Sequence, residues 1–200
     1  MNSKVAPLLI CLLLMLPVDS APAPQAEQKT VNVKLLDLEL VDQDGRKVKF
    51  RSEVLGNRVA ALVPFYTTCT TAYPILIYIF TRLQDMLEER LGQEVVLISV
   101  SVDPKTDIPV RLRAFARRHK AKPGWVFLTG DMNSLSSVLA GVGIEYIVGQ
   151  SLDEHNHIPL TLVGSSGGEW KRFYGYPPPE VLLTQIRHAL ETRGNAGGTK

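Results

Sequence analysis

The chain has 200 residues, 45% of them hydrophobic, and 22 Lys and Arg against 20 Asp and Glu give a formal net charge of +2. That is enough apolar chain for a real core, and a balance so near neutral excludes a dedicated nucleic-acid binder. Two cysteines in the whole chain also exclude a disulfide-stapled scaffold.

The first 20 residues read as a secretory signal. Lys4 supplies a positive start, Val5 to Leu16 is almost continuously apolar, Pro17 ends the run, and Val18 and Ser20 place a cut after Ser20. The run is shorter than the roughly 20 apolar residues of a membrane helix, so membrane association is expected only if the segment stays uncleaved. Residues 21–29, with Ala-Pro-Ala-Pro, read as an extended linker. Residues 30–192 form one domain, and the Gly-rich residues 193–200 a flexible tail. Loss of the leader removes Cys11 and leaves Cys69 as the one thiol of an exported protein.

Within the domain, Val31 to Val41 carries β-type residues, Asp42-Gln43-Asp44-Gly45 a turn, and Lys47 to Phe50 a returning strand. Val59 to Phe65 is a short apolar run that fits a buried central strand. Ile75 to Leu91 has helical periodicity, with Gly92 where a C-cap belongs. Val95 to Val102 is a second buried strand, and Val110 to His119 an amphipathic helix. The cluster Arg111, Arg113, Arg117, Arg118, His119 and Lys120 reads as that helix's solvated face. A short strand at Trp125 to Leu128 and a helix at Leu135 to Ala140 follow. Leu160 to Val163 and Trp170 to Tyr174 flank Gly164-Ser-Ser-Gly-Gly as a hairpin, and Glu180 to Glu191 is the last helix. Strand–helix–strand units require a parallel sheet covered on both faces, and the terminal hairpins add antiparallel strands. The expected class is α/β: a single thioredoxin-like domain with a mixed central sheet, helices on both faces and an N-terminal hairpin. Trp125 and Trp170 are read as core aromatics, and His119 and His188 as helix-surface residues.

Chemistry concentrates between the first central strand and the long helix, in Phe65-Tyr-Thr-Thr-Cys69-Thr-Thr-Ala-Tyr73-Pro74. Beyond a strand's carboxyl end is where sites collect in α/β sheets. Thr70 or Thr71 is suited to cap the helix, and Pro74 must lie in its first turn. Cys69 is therefore placed where backbone N–H groups and the helix dipole favour the thiolate. The competing reading is a plain buried cysteine. Asp103-Pro104 and Asp107 follow the second central strand close to Cys69, with Asp103 read chiefly as a turn residue and otherwise as the group that orients a loop.

Three further stretches accompany that segment: Ser99-Val-Ser-Val-Asp103-Pro104, Leu128-Thr129-Gly130, and a His-containing stretch before Leu160-Thr-Leu-Val-Gly164. Together, in this order, they resemble the Sco/SenC family over about residues 30–190. Its members are thioredoxin-fold proteins, exported or membrane-tethered, that deliver copper to respiratory oxidases or keep thiols there reduced. The resemblance implies a protein partner, a respiratory oxidase subunit or another copper chaperone, and export to the bacterial periplasm.

The family site uses Cys-x-x-x-Cys-Pro plus a distal His, a soft ligand set suited to Cu(I). Cys69 matches the first cysteine and Pro74 the proline, but Tyr73 stands where the second cysteine belongs. A phenol is a poor substitute for thiolate, and dithiol–disulfide exchange needs a second sulfur. The distal ligand lies in Asp153-Glu-His155-Asn-His157, where either histidine is the equivalent. The implied metal ligands are thus Cys69, His155 and His157, with copper as the metal. Three readings remain: weak copper handling through this incomplete site, a metal-free binding or assembly protein, and a one-cysteine thiol peroxidase or reductase. The last is the weakest, because in the peroxiredoxin-like pattern Pro-x-x-x-Thr-x-x-Cys that starts at Pro64, Thr71 occupies the cysteine position.

Overall fold

The computed structural model describes residues 27–144 and 159–196. In chain order these form β1 (Gln28–Val31), β2 (Glu39–Asp42), β3 (Lys47–Lys49), a helical turn (Phe50–Leu55), β4 (Val59–Phe65), α1 (Ala72–Leu87), β5 (Val95–Ser101), α2 (Pro109–Arg118), β6 (Trp125–Thr129), α3 (Met132–Gly141), β7 (Leu160–Ser165), β8 (Trp170–Tyr174) and α4 (Pro179–Ala196). The strands make one eight-stranded sheet in the order β1-β8-β7-β4-β5-β6-β2-β3. β4, β5 and β6 are parallel, and the remaining pairings are antiparallel.

The two runs read as central strands are central because they are almost wholly apolar and the two serines of β5 find partners inside, Ser99 accepting from Trp125 and Ser101 donating to Asp107. All seven residues of β4 and all seven of β5 are buried, as strands covered on both faces require. Successive right-handed crossovers put α1 and α2 on the same face, and α4 packs beside α1 there. Phe65, Phe80, Phe115, Trp125 and Phe127 interlock beneath these helices with ring centroids 5.1–5.9 Å apart. α3, the segment 32–38 and the Phe50–Leu55 turn cover the other face. The Lys34 N–H donates to the Gly141 carbonyl at 2.7 Å, and the Asp37 carboxylate accepts from the Arg51 and Ser52 N–H groups at 3.0 and 2.8 Å. This is the expected α/β, thioredoxin-like arrangement.

Three local expectations are corrected. The β-type stretch Val31 to Val41 is not one strand: Val31 ends β1 at one edge of the sheet, and β2 begins at Glu39 near the other. Residues 32–38 cross the domain between them. The long helix ends at Leu87, and Glu88, at φ 49°, takes the left-handed position expected of Gly92. Gly92 instead turns the chain into β5, its N–H donating to the Val95 carbonyl at 2.7 Å. α3 begins earlier than its periodicity predicts, because Asp131 caps it by accepting from the Asn133 and Ser134 N–H groups at 3.0 and 2.9 Å.

Trp125 and Trp170 are core residues, and Arg111, Arg113, Arg117 and Arg118 form a solvated face. His188 is exposed, whereas His119 is half-buried with its ring 4.4 Å from that of Phe115. Burial, aided by the Arg118 charge, holds the His119 imidazole below its ordinary pKa of 6.5. A base with a lowered folded pKa contributes stability fully above the unfolded value, and that contribution is lost as pH falls through the lowered folded pKa. Chemical denaturation of wild type and His119→Gln between pH 7.5 and 5 is therefore expected to show an extra decline in the wild type, beginning near pH 6.5. Parallel curves for the two proteins would refute it.

Candidate functional site

The loop after β4 rises at the carboxyl end of the parallel strands, beside the end of β5. It turns back at once, the Cys69 N–H donating to the Tyr66 carbonyl at 3.3 Å. α1 then starts at Ala72 with Thr71 as its N-cap and Pro74 in its first turn. The Thr71 side chain makes no capping bond to the helix; its hydroxyl lies 3.7 Å from the Cys69 sulfur instead.

Cys69 is half-buried rather than enclosed. Burial alone would push its thiol up. Against that, the N–H groups of Tyr73 and Thr71 and the hydroxyls of Tyr66 and Thr71 all favour the thiolate, and the balance falls below the ordinary thiol value. The sulfur thus occupies the place of a capping oxygen at the start of α1, where helix N–H groups lack internal partners. That is the microenvironment of a nucleophilic or metal-binding thiol.

Tyr73 is 2% exposed, and its ring meets Tyr66 edge-on at 5.3 Å and 80°. Both tyrosines belong to the hydrophobic core. Position 73 therefore supplies the site with a backbone N–H while its side chain packs inward. Tyr66 was not singled out by sequence reasoning, and its only signal there was an aromatic residue directly after a central strand.

The acid bonded to the Cys69 loop is Asp107, not Asp103. Asp107 is fully buried and accepts from the Thr67 hydroxyl at 2.5 Å, the Thr67 N–H at 3.1 Å and the Ser101 hydroxyl at 2.7 Å. Burial pushes its carboxyl up, the bonds from Thr67 and Ser101 pull it back, and the Asp103 charge adds to the rise. Asp103 closes a turn, as its spacing predicts: its carbonyl accepts from the Thr106 and Asp107 N–H groups at 3.1 and 2.8 Å.

His155 and His157 lie outside the described residues. Among the described residues, no group of three His, Cys, Asp or Glu is placed to hold a metal, and no helix is long and apolar enough to cross a membrane.

The SCO1/SenC family model matches residues 26–191. The SCO1 protein homolog of Bacillus subtilis is 30% identical over 154 residues, 74% of this chain and 78% of the relative. A protein of Stutzerimonas stutzeri whose name refers to copper binding is 27% identical over 134 residues, and the match spans 64% of that relative's length. Among solved structures, BsSco, a member of the Sco family of cytochrome c oxidase assembly proteins, superposes with a TM-score of 0.66 at 25% identity, covering 83% of this chain and 98% of that one. Copper-bound yeast Sco1 shares the fold at a TM-score of 0.62 and 14% identity, over 80% and 94% of the two chains. With the family model spanning nearly all of the described residues and the fold shared with a solved Sco family member, this chain belongs to the SCO1/SenC family.

Proposed function

We propose that this protein is an exported accessory protein of copper handling or respiratory-oxidase assembly, with copper as its cargo and a reduced ligand set. The observation that carries the reading is the state of Cys69: a half-exposed sulfur at the carboxyl end of β4, held toward thiolate by N–H and hydroxyl donors. A soft thiolate fits Cu(I) as one ligand. The second sulfur of the family motif has no counterpart, because Tyr73 is committed to the core.

The other ligands in this reading are His155 and His157. β7 runs antiparallel to β4, so the chain enters it from the Cys69 end, at Pro159. In the sequence His155 and His157 stand four and two residues before that point. Imidazole and thiolate together make a two- or three-coordinate site that exchanges its metal with a partner protein, an oxidase subunit or another chaperone.

The buried Tyr73 also favours a second reading, a metal-free assembly protein that keeps the family's fold and binds its partner without copper. An anaerobic Cu(I) competition titration separates the two. One tight equivalent is expected for wild type, lost in Cys69→Ala and weakened at least about tenfold in the His155→Ala/His157→Ala double variant. Equal, poor competition by all three folded proteins would discard the copper reading in favour of the second.

A further inference from the structure

We propose that Asp107 is the positioning residue of the Cys69 turn: its buried carboxylate clamps Thr67 and thereby fixes the loop that holds the sulfur beside the Thr71 hydroxyl. This deepens the reading above and rests on Cys69 being the working thiol.

The geometry is that of a clamp between two loops. One carboxylate holds both hydrogen-bonding groups at the start of the β4–α1 loop, the N–H and the hydroxyl of Thr67, and its other oxygen takes the Ser101 hydroxyl. Ser101 in turn accepts from the Asp103 N–H at 3.0 Å, so the loop after β5 is fixed by the same group. β4 and β5 are already paired as far as Phe65 and Ser101. Asp107 thus extends the tie between these strands beyond the last rung of the sheet, up to two residues before Cys69. Downstream of Thr67, the turn is closed by the 3.3 Å bond from the Cys69 N–H to the Tyr66 carbonyl. A buried acid is costly unless its acceptor sites are filled. Here three donors fill them, two from the loop that carries the sulfur and one from the last residue of β5. With the clamp gone, the β4–α1 loop drifts relative to the start of α1, and the sulfur loses donors that only a fixed loop brings to it.

A purely structural crosslink provides the contrast. Gln84, also buried, donates to the Lys120 carbonyl and accepts from the Lys122 N–H, each at 3.0 Å, and so ties α1 to the loop after α2. Its loss costs stability without touching the Cys69 turn.

The test is the second-order rate of Cys69 alkylation by iodoacetamide at pH 7, measured on folded protein alongside the melting temperature. Asp107→Ala is expected to slow alkylation about tenfold, because the loop no longer holds the sulfur in one place beside the Thr71 hydroxyl. Asp107→Asn, which keeps an acceptor for Thr67 and has a donor for the Ser101 oxygen, is expected to stay within about threefold of wild type. Gln84→Ala is expected to lower the melting temperature and leave the rate unchanged. Thr67→Val removes only the hydroxyl arm of the clamp and is expected to slow alkylation about threefold, which keeps the test available should Asp107→Ala not fold.

An Asp107→Ala rate equal to or above wild type overturns the proposal. So does an Asn variant as slow as the Ala variant, or a Thr67→Val rate unchanged from wild type. Copper affinity is read separately by titration of the wild type, so failure of the clamp and failure of the copper reading are distinguishable.

Discussion

Tyr73→Cys is expected to raise Cu(I) affinity by about 100-fold or more, the gain usual when a second ligand is tethered beside the first. The Tyr73 N–H already donates to the Cys69 sulfur, so residue 73 stands beside the thiolate and needs only a soft donor of its own. The same change restores the Cys-x-x-x-Cys-Pro pattern, so the variant should also close a disulfide within that motif under mild oxidant, which a motif with one cysteine cannot do. A cost accompanies the gain. Tyr73 is 2% exposed and packs on Tyr66, and replacing a core aromatic by a small residue costs roughly 3–5 kcal/mol. A fall in melting temperature of roughly 6–20 °C follows for a domain of this size. Anaerobic competition titration, thiol counts before and after oxidation, and a thermal melt check the three parts. A folded variant with unchanged Cu(I) affinity would mean that the missing sulfur is not what limits this site.

Gly124→Ala is expected to be among the most damaging single-methyl additions in the domain. Gly124 adopts φ +97°, and a Cβ there would lie 2.4 Å from the Gly92 nitrogen and 2.7 Å from its Cα. Those are backbone atoms of the turn into β5, and they cannot swing aside as a side chain would. The Gly124 carbonyl also accepts from the Leu97 N–H at 2.9 Å, so moving it strains the β5–β6 pairing. Positive-φ strain plus overpacking amounts to roughly 2–5 kcal/mol, or a melting temperature lower by roughly 4–20 °C. Gly92→Ala is the comparison. It also has positive φ, +86°, but its added Cβ finds its nearest neighbours at 3.5 Å, so only the conformational cost of about 1 kcal/mol remains. Equal melting temperatures for the two variants would refute the steric argument.

Much of this architecture was legible in the sequence, for local reasons. Val59–Phe65 and Val95–Ser101 are predominantly apolar runs too short for helices, and such runs have one stable place, inside a covered sheet. The hairpin of β7 and β8 follows from the glycines between two β-rich stretches, and Gly167 sits there at φ +80°. Cys69 was recognisable as a thiol at a helix start because Pro74 confines where α1 begins.

The expectations that failed depended on partners distant in the chain. Val31 and Val41 look alike as β residues, yet one pairs with Trp170 and the other with Lys47 and Thr129. No local pattern says that the chain crosses the domain between them. Gly92 looks like a helix cap, but its conformation serves the turn into β5 and the close approach of Gly124. Asp103, beside its proline, was read chiefly as a turn residue, which it is; the bonds to the Cys69 loop come from Asp107. The choice of Asp107 was made by Thr67, 40 residues earlier, and by Ser101 on the adjoining strand. In the same way, Tyr66 became a donor to Cys69 only once the loop had turned back on itself.

The sequence by itself determined which segments are buried, which are helical and where the thiol stands, because burial and periodicity are properties of contiguous residues. The tertiary structure decided which edge each short strand joins, which acid holds the loop and which donors surround the sulfur. A hydrogen bond is set by distance in space, and residues 40 apart acquire that distance only when the sheet has formed.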